Sequence, residues 1–205
     1  MLVDLAAFAG AAGNDDAPLF LCGESMGALI VLHAAVAESW SKKISGLLLL
    51  SPVIALAQKN PPWVKSLLRA VSVIAPGIRL RPGWFVHGSA AMPPLTRIPE
   101  REQYLATAPH RLGPLTLHFL SNMGDLIESA PGLARRLTAP VAIFSAGRDV
   151  FVTPAQTREF FGQISSRDKT HFHYPESYHQ TLFDLDAPQV LADAAGWLEA
   201  RLPQP

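Results

Sequence analysis

The stretch that most constrains this chain is residues 17–37, "APLFLCGESMGALIVLHAAVA". An apolar run of strand length, "PLFLCG" at residues 18–23, leads into Gly-Glu-Ser-Met-Gly, and a helical pattern follows over residues 26–39. A strand that reads as continuously apolar suits a parallel sheet covered on both faces. A sharp strand-to-helix turn at G-x-S-x-G holds its serine in a strained conformation, with Oγ raised above the sheet. Both glycines are expected to be required, because side chains there would collide with the neighbouring strand and helix. The stretch therefore calls for a parallel α/β sheet and offers Ser25 as a nucleophile. The following helix turns its positive end toward the site, which makes the Met26 N–H one candidate oxyanion-hole donor.

The rest of the chain supports that class. "ISGLLLLSP" from Ile44 reads as a second buried strand, ended by Pro52, and "APVAIFSAG" at 139–147 as a third. "KTHFHYP" at 169–175 alternates polar with apolar, as an edge strand does. Helical patterns fall at 2–12, 154–163 and 188–202, so strand and helix alternate in both outer thirds. The expected fold class is α/β, a mostly parallel sheet of about four strands with flanking helices. The middle differs. Residues 53–136 are rich in Pro and aromatics, as in "NPPW", "RPGWF" and "AMPPL". Short helical patterns occur there at Val64–Ile74, Arg101–Ala108 and Leu115–Leu126, with no strand to extend the sheet. The expected organisation is a core of residues 1–52 and 137–205, and a helical cap of residues 53–136 between the second and third strands.

A serine hydroxyl is a poor nucleophile until a base takes its proton, and that base is usually a histidine oriented by a carboxylate. On an α/β sheet the order along the chain is Ser, then Asp or Glu, then His. Asp149 follows the third strand in "GRDVFVTP", and His179 follows the fourth in "PESYHQTLFD". Both fall in loops at strand C-terminal ends, where open parallel sheets carry their sites. The catalytic candidates are Ser25, Asp149 and His179. Asp149 also has an ordinary reading as the cap of a helix starting near Pro154. Asp184 and Asp186 suit capping or surface roles, and Glu24 a local hydrogen bond within the elbow. His33 reads as packed, and His87, His110 and His118 as structural residues of the middle segment. His171 and His173 share one face of a strand, but no Cys or carboxylate completes a metal set. Cys22 reads as packing inside a buried strand.

Charge bounds the partners. Lys+Arg and Asp+Glu number 17 each, so no basic surface points to nucleic acid. The single cysteine excludes an internal disulfide and suits a cytoplasmic, reducing setting. "MLVDLAAFAGAAGNDD" has no basic n-region and reads as a helix rather than a signal peptide. No cofactor or metal is expected. Trp63, Leu67, Leu68, Trp84, Phe85 and Met92 give the middle segment apolar surface, for an acyl-chain pocket or for packing on the core. "PPWVKSLLRAVSVIAP", with Lys65 and Arg69 on its polar side, is a candidate peripheral membrane contact.

The segments "GESMGA", "SAGRDVFVTP" and "SYHQTLFD" resemble the monoacylglycerol lipase and lysophospholipase group of α/β-hydrolases, the serine aminopeptidase S33-like family. The resemblance covers nearly the whole chain, in order. It implies a carboxylester hydrolase acting on lipid-like or other hydrophobic acyl esters, with a cap between strands six and seven of the family fold. It implies Ser25 as nucleophile, His179 as base and acid, Asp149 as orienter and Met26 as one oxyanion donor. Alternatives on the same framework are a non-catalytic interaction module, an acyltransferase and a peptidase. The chain departs from the family at its start. In the family four further strands and a helix come before the elbow strand, with a His-Gly loop after the third strand that supplies the second oxyanion N–H. Nothing here can play that part, and "MLVDLAAFAG" looks like the family's helix just before the elbow strand. The expectation is a partial α/β-hydrolase fold. Loss of one oxyanion donor costs about 3–4 kcal/mol of transition-state stabilisation. The elbow strand would become an exposed apolar edge, a place for self-association.

Overall fold

The computed structural model describes residues 2–12, 17–37, 44–57, 61–80, 93–109 and 113–203. Trp84, Phe85, His87, Met92 and His110, named above, lie outside the described residues. The elements run α1 (Leu2–Ala12), β1 (Leu19–Glu24), α2 (Met26–Val36), β2 (Ile44–Leu50) and α3 (Pro62–Ile74). They continue with β3 (Arg79–Leu80), α4 (Pro99–Thr107), β4 (Leu115–Thr116), α5 (Leu117–Ala134) and β5 (Val141–Ala146). The last are α6 (Pro154–Gln163), β6 (Lys169–Tyr174) and α7 (Ala187–Glu199).

The four long strands form one parallel sheet in the order β1-β2-β5-β6. The expected fold class is therefore observed: a parallel α/β sheet with flanking helices. Register brings the C-terminal ends together, since Glu24 pairs with Leu50, Leu50 with Phe144 and Ala146 with Tyr174. One end of the sheet thus gathers the turns that follow every strand. β6 lies at an edge, as its alternation suggests. β1 lies at the other edge among the described residues, as the family resemblance implies, and the reading of a strand buried on both faces fails there. Its burial alternates, and Cys22 is exposed rather than packed.

Each sheet face has its own core. On one side Leu21, Leu47, Leu49, Val141 and Ile143 meet α2, the C-terminal half of α5 and Phe160 of α6. On the other, Leu48, Leu50, Ala142, Phe144 and Tyr174 meet Val190 and Trp197 of α7. Each of the Leu, Ile, Val and Phe side chains among them contributes about 1.5–3 kcal/mol when fully buried. Gly46 gives the Trp197 ring its space, since a Cβ there would lie 2.7 Å from the indole.

Helix starts follow local chemistry. Thr153 caps α6 through a capping box with Gln156, and Pro154 supplies a preset φ. Thr116 caps α5 by accepting the Phe119 N–H. α5 runs past the expected Leu126 to Ala134 and contains Pro131. Its extension buries Ile127, Ala130, Leu133 and Ala134 in the core, which offsets the hydrogen bond proline removes. Between β2 and β5 the only strands among the described residues are β3 and β4, a short antiparallel pair apart from the main sheet.

α3 has unusual polarity. Lys65 and Arg69 turn toward α5, where Lys65 pairs with Glu128 and Asp125 and Arg69 with Asp125. Trp63, Leu67, Val73 and Ile74 face outward, with Trp63 65% exposed. No helix among the described residues is long and apolar enough to cross a membrane.

Candidate active site

The turn between β1 and α2 takes the shape the motif requires. Ser25 has φ 55° and ψ −119°, a left-handed conformation that a non-glycine residue adopts only under strain. Its N–H donates to the Leu50 carbonyl at 2.9 Å, and its carbonyl accepts the Ala28 N–H at 3.2 Å. The two glycines are not equivalent. A Cβ on Gly23 would lie 2.4 Å from the Gly27 carbonyl oxygen, whereas one on Gly27 would meet nothing within 4 Å. The collision expected at both positions arises only at the first, because only Gly23 lies under the returning helix.

Ser25, Asp149 and His179 converge. His179 Nε2 lies 2.8 Å from Ser25 Oγ, and His179 Nδ1 lies 2.8 Å from Asp149 Oδ2. His179 is 2% exposed, and its ring stands edge-on to Phe151 with centroids 4.5 Å apart. Asp149 Oδ1 accepts the N–H groups of Phe151, at 2.8 Å, and Val152, at 3.3 Å. The carboxylate is therefore anchored to its own loop and does not cap α6, a task that Thr153 performs. Gly147 lets this loop pass the next, since a Cβ there would lie 2.2 Å from the Pro175 carbonyl oxygen. Met26 opens α2, so its N–H has no carbonyl partner within the helix.

Other candidates fall elsewhere. Glu24 does not make the expected bond through Oε1, which is buried with no hydrogen-bond partner among the described residues. Burial pushes its carboxyl up, and nearby His179 pulls it partly back. His33 packs against α5, with Nε2 3.0 Å from Ser129 Oγ, and burial holds its imidazole below the ordinary histidine range. His118 lies on α5 with Nε2 3.1 Å from Asn122. His171 Nε2 and His173 Nδ1 lie 2.7 and 3.0 Å from Ser145 Oγ. Among the described residues no group of three His, Cys, Asp or Glu is placed to hold a metal ion.

Asp184 overturns its expected capping or surface role, whereas half-exposed Asp186 keeps a surface one. Asp184 is fully buried and ion-paired to Arg97, while Asp186 stands at the start of α7 without capping it. Burial alone would push the Asp184 carboxyl up. Hydrogen bonds from the Tyr178, Arg97 and Leu185 N–H groups and the Arg97 guanidinium prevail and hold it below the usual range. Arg97 carries no local motif, and only its distant partners reveal it.

A parallel sheet with a strained serine at its elbow, and an Asp and a His from the next loops, is the α/β-hydrolase framework. A family model described as serine aminopeptidase, S33, matches residues 1–186, and the chain belongs to that hydrolytic family. Over 97% of its length the chain is 24% identical to a monoacylglycerol lipase of Mycolicibacterium smegmatis. It is 21% identical over 90% of its length to the phospholipase YtpA of Bacillus subtilis. It spans 69% of the length of each. The crystal structure of a Paleococcus ferrophilus monoacylglycerol lipase superposes with a TM-score of 0.83 at 24% identity, covering 98% of this chain and 74% of that one. A soluble variant of the Saccharomyces cerevisiae monoglyceride lipase, in complex with a substrate analogue, gives a TM-score of 0.76 at 20% identity. That likeness covers 100% of this chain and 68% of the yeast one.

Proposed function

We propose that the protein is a serine carboxylester hydrolase of the monoacylglycerol lipase or lysophospholipase type, acting on hydrophobic acyl esters. The observation that carries this reading is the pair of 2.8 Å contacts linking Ser25 to His179 and His179 to Asp149. The similarity to a monoacylglycerol lipase and to a phospholipase supports the substrate class.

In this reading Ser25 Oγ attacks the ester carbonyl carbon as His179 Nε2 takes the hydroxyl proton. Asp149 holds the Nδ1–H, fixes the tautomer and stabilises the imidazolium. The carbonyl oxygen becomes an oxyanion, and the Met26 N–H at the positive end of α2 donates to it. His179 then protonates the leaving alkoxide, the C–O bond breaks, and the acyl group remains on Ser25. Water, deprotonated by His179, attacks the acyl-enzyme. Its collapse frees the carboxylic acid and returns the proton to Ser25.

The described residues between α3 and the first half of α5 are read as a cap over this end of the sheet, while the C-terminal half of α5 belongs to the core. The outward apolar stripe of α3 supports peripheral contact with a lipid surface through Trp63, Leu67 and Ile74. Lys65 and Arg69 are engaged by α5, so the contact is apolar rather than cationic. Among the described residues β1 is paired on one side, and its other edge is where the chain pairs with a second strand, as an open sheet edge does. The single cysteine suits cytoplasmic work at a membrane face. Hydrolysis of a p-nitrophenyl acyl ester by the purified chain, with Ser25→Ala as control, tests the function. Sedimentation of the same sample tests the pairing, for which a concentration-dependent dimer is expected and a strict monomer would oppose it.

A further inference from the structure

His179 sits in a loop held from outside. The segment between β2 and β5 returns to the core at residues 93–98 and lies along residues 178–186, the loop that carries His179. Arg97 donates from Nε to Asp184 Oδ1 at 2.9 Å, from its backbone N–H to the same oxygen at 3.0 Å, and from Nη2 to Asp186 Oδ2 at 2.7 Å. Thr96 Oγ1 donates to the Phe183 carbonyl at 2.6 Å. The strap is itself shaped by Glu102 of α4, whose Oε1 accepts the Leu95 and Thr96 N–H groups.

These bonds bracket the histidine. The residue before it, Tyr178, donates its N–H to Asp184 Oδ2 at 2.6 Å. The residue after it, Gln180, donates its N–H to the Leu95 carbonyl at 2.9 Å. One bracket depends on Asp184 and the other on the strap, and Arg97 joins the two. Asp184 is wholly buried, while the Arg97 side chain is 22% exposed. A buried carboxylate that loses its cation is left uncompensated and must move or take a proton.

We infer that Arg97 is a positioning residue: by tying the 93–98 strap to Asp184 it holds the His179 backbone at the height where Nε2 meets Ser25 Oγ. The inference rests on the proposed role of His179 as base. It makes the register of the base depend on docking of the segment between β2 and β5. Reaction geometry is steep in distance, and a misplacement of about 1 Å from a remote change costs on the order of 10²-fold in rate.

The test compares wild type, Arg97→Lys and Arg97→Ala in the full chain, using p-nitrophenyl butyrate kinetics, thermal melts and the proton NMR signal of His179 Nδ1–H. Arg97→Ala is expected to melt cooperatively, with kcat lowered about 10- to 100-fold, KM within about twofold, and the His179 signal shifted or broadened. Arg97→Lys, which keeps the charge and loses the Nε donor, is expected to fall between. If Arg97→Ala does not fold, Arg97→Lys carries the same readouts. A folded variant with kcat within about twofold of wild type and an unmoved His179 signal would overturn the inference. Should wild type show no Ser25-dependent turnover, the proposed function fails, while the His179 signal still decides whether Arg97 positions the ring.

Discussion

Asp149 divides its carboxylate between two tasks: Oδ2 lies 2.8 Å from His179 Nδ1, while Oδ1 accepts the N–H groups of Phe151 and Val152. The second task fixes which oxygen faces the imidazole. In Asp149→Asn the remaining carbonyl oxygen satisfies those N–H groups, and the amide N–H then points at Nδ1. That forces the tautomer with a proton on Nε2, which cannot accept from Ser25. The expected result is a fall in kcat of about 10⁴-fold with a melting temperature close to wild type. Steady-state kinetics and a thermal melt check it, and a loss below about tenfold would oppose the assignment.

The elbow glycines separate by substitution. Gly23→Ala drives a Cβ into the Gly27 carbonyl and is expected to cost about 1–3 kcal/mol and most of the activity. Gly27→Ala enters open space in the first turn of α2, where alanine has the better helix propensity, and is expected to stay within about 0.5 kcal/mol of wild type or gain slightly. Denaturant melts of both variants decide. Equal losses would contradict the asymmetry.

Much of this site could be read from local sequence, because its parts are local. The strand–turn–helix of residues 18–36, the Asp after β5 and the His after β6 each announce themselves within a few residues. The longer-range features could not be read that way. Arg97 meets Asp184 across 87 positions, and nothing near Arg97 distinguishes it from a surface arginine. Composition alone reads Cys22 as buried, because an apolar run does not show that its strand stands at an edge; the edge follows only from the strands that the family resemblance finds missing. Gly27 looked indispensable because the spacing of a motif does not say which glycine another chain segment approaches. The local pattern of α5 ends at Leu126, because the pull of its buried Ile127 and Leu133 comes from the core rather than from the helix itself.

Glu24 supplies a pH test. Its carboxyl sits above the ordinary range when folded, mainly through burial, so the folded chain keeps a proton that the unfolded chain has lost. The stability linked to that proton is full below about pH 4 and is lost as pH rises through the folded value. Glu24→Gln has no such proton to lose. Its melting temperature relative to wild type is therefore expected to rise between pH 4 and pH 8. A difference that stays constant, or reverses, across paired melts would count against the buried carboxyl.

The outward face of α3 gives a binding test. Replacing Trp63 and Leu67 together by serine removes two exposed apolar side chains and leaves the Lys65 and Arg69 pairs intact. Partition onto neutral phosphatidylcholine vesicles, measured by co-sedimentation, is expected to drop at least about tenfold. Hydrolysis of a short soluble ester is expected to be unchanged. Undiminished vesicle binding would remove α3 from the contact.

The most direct measurement is hydrolysis of a short p-nitrophenyl acyl ester by the purified 205-residue chain beside its Ser25→Ala variant. Turnover that disappears in the variant, with both proteins folded, is the expected result and identifies Ser25 as the nucleophile. A folded wild-type sample no faster than Ser25→Ala would contradict the claim that this chain hydrolyses esters through Ser25, His179 and Asp149.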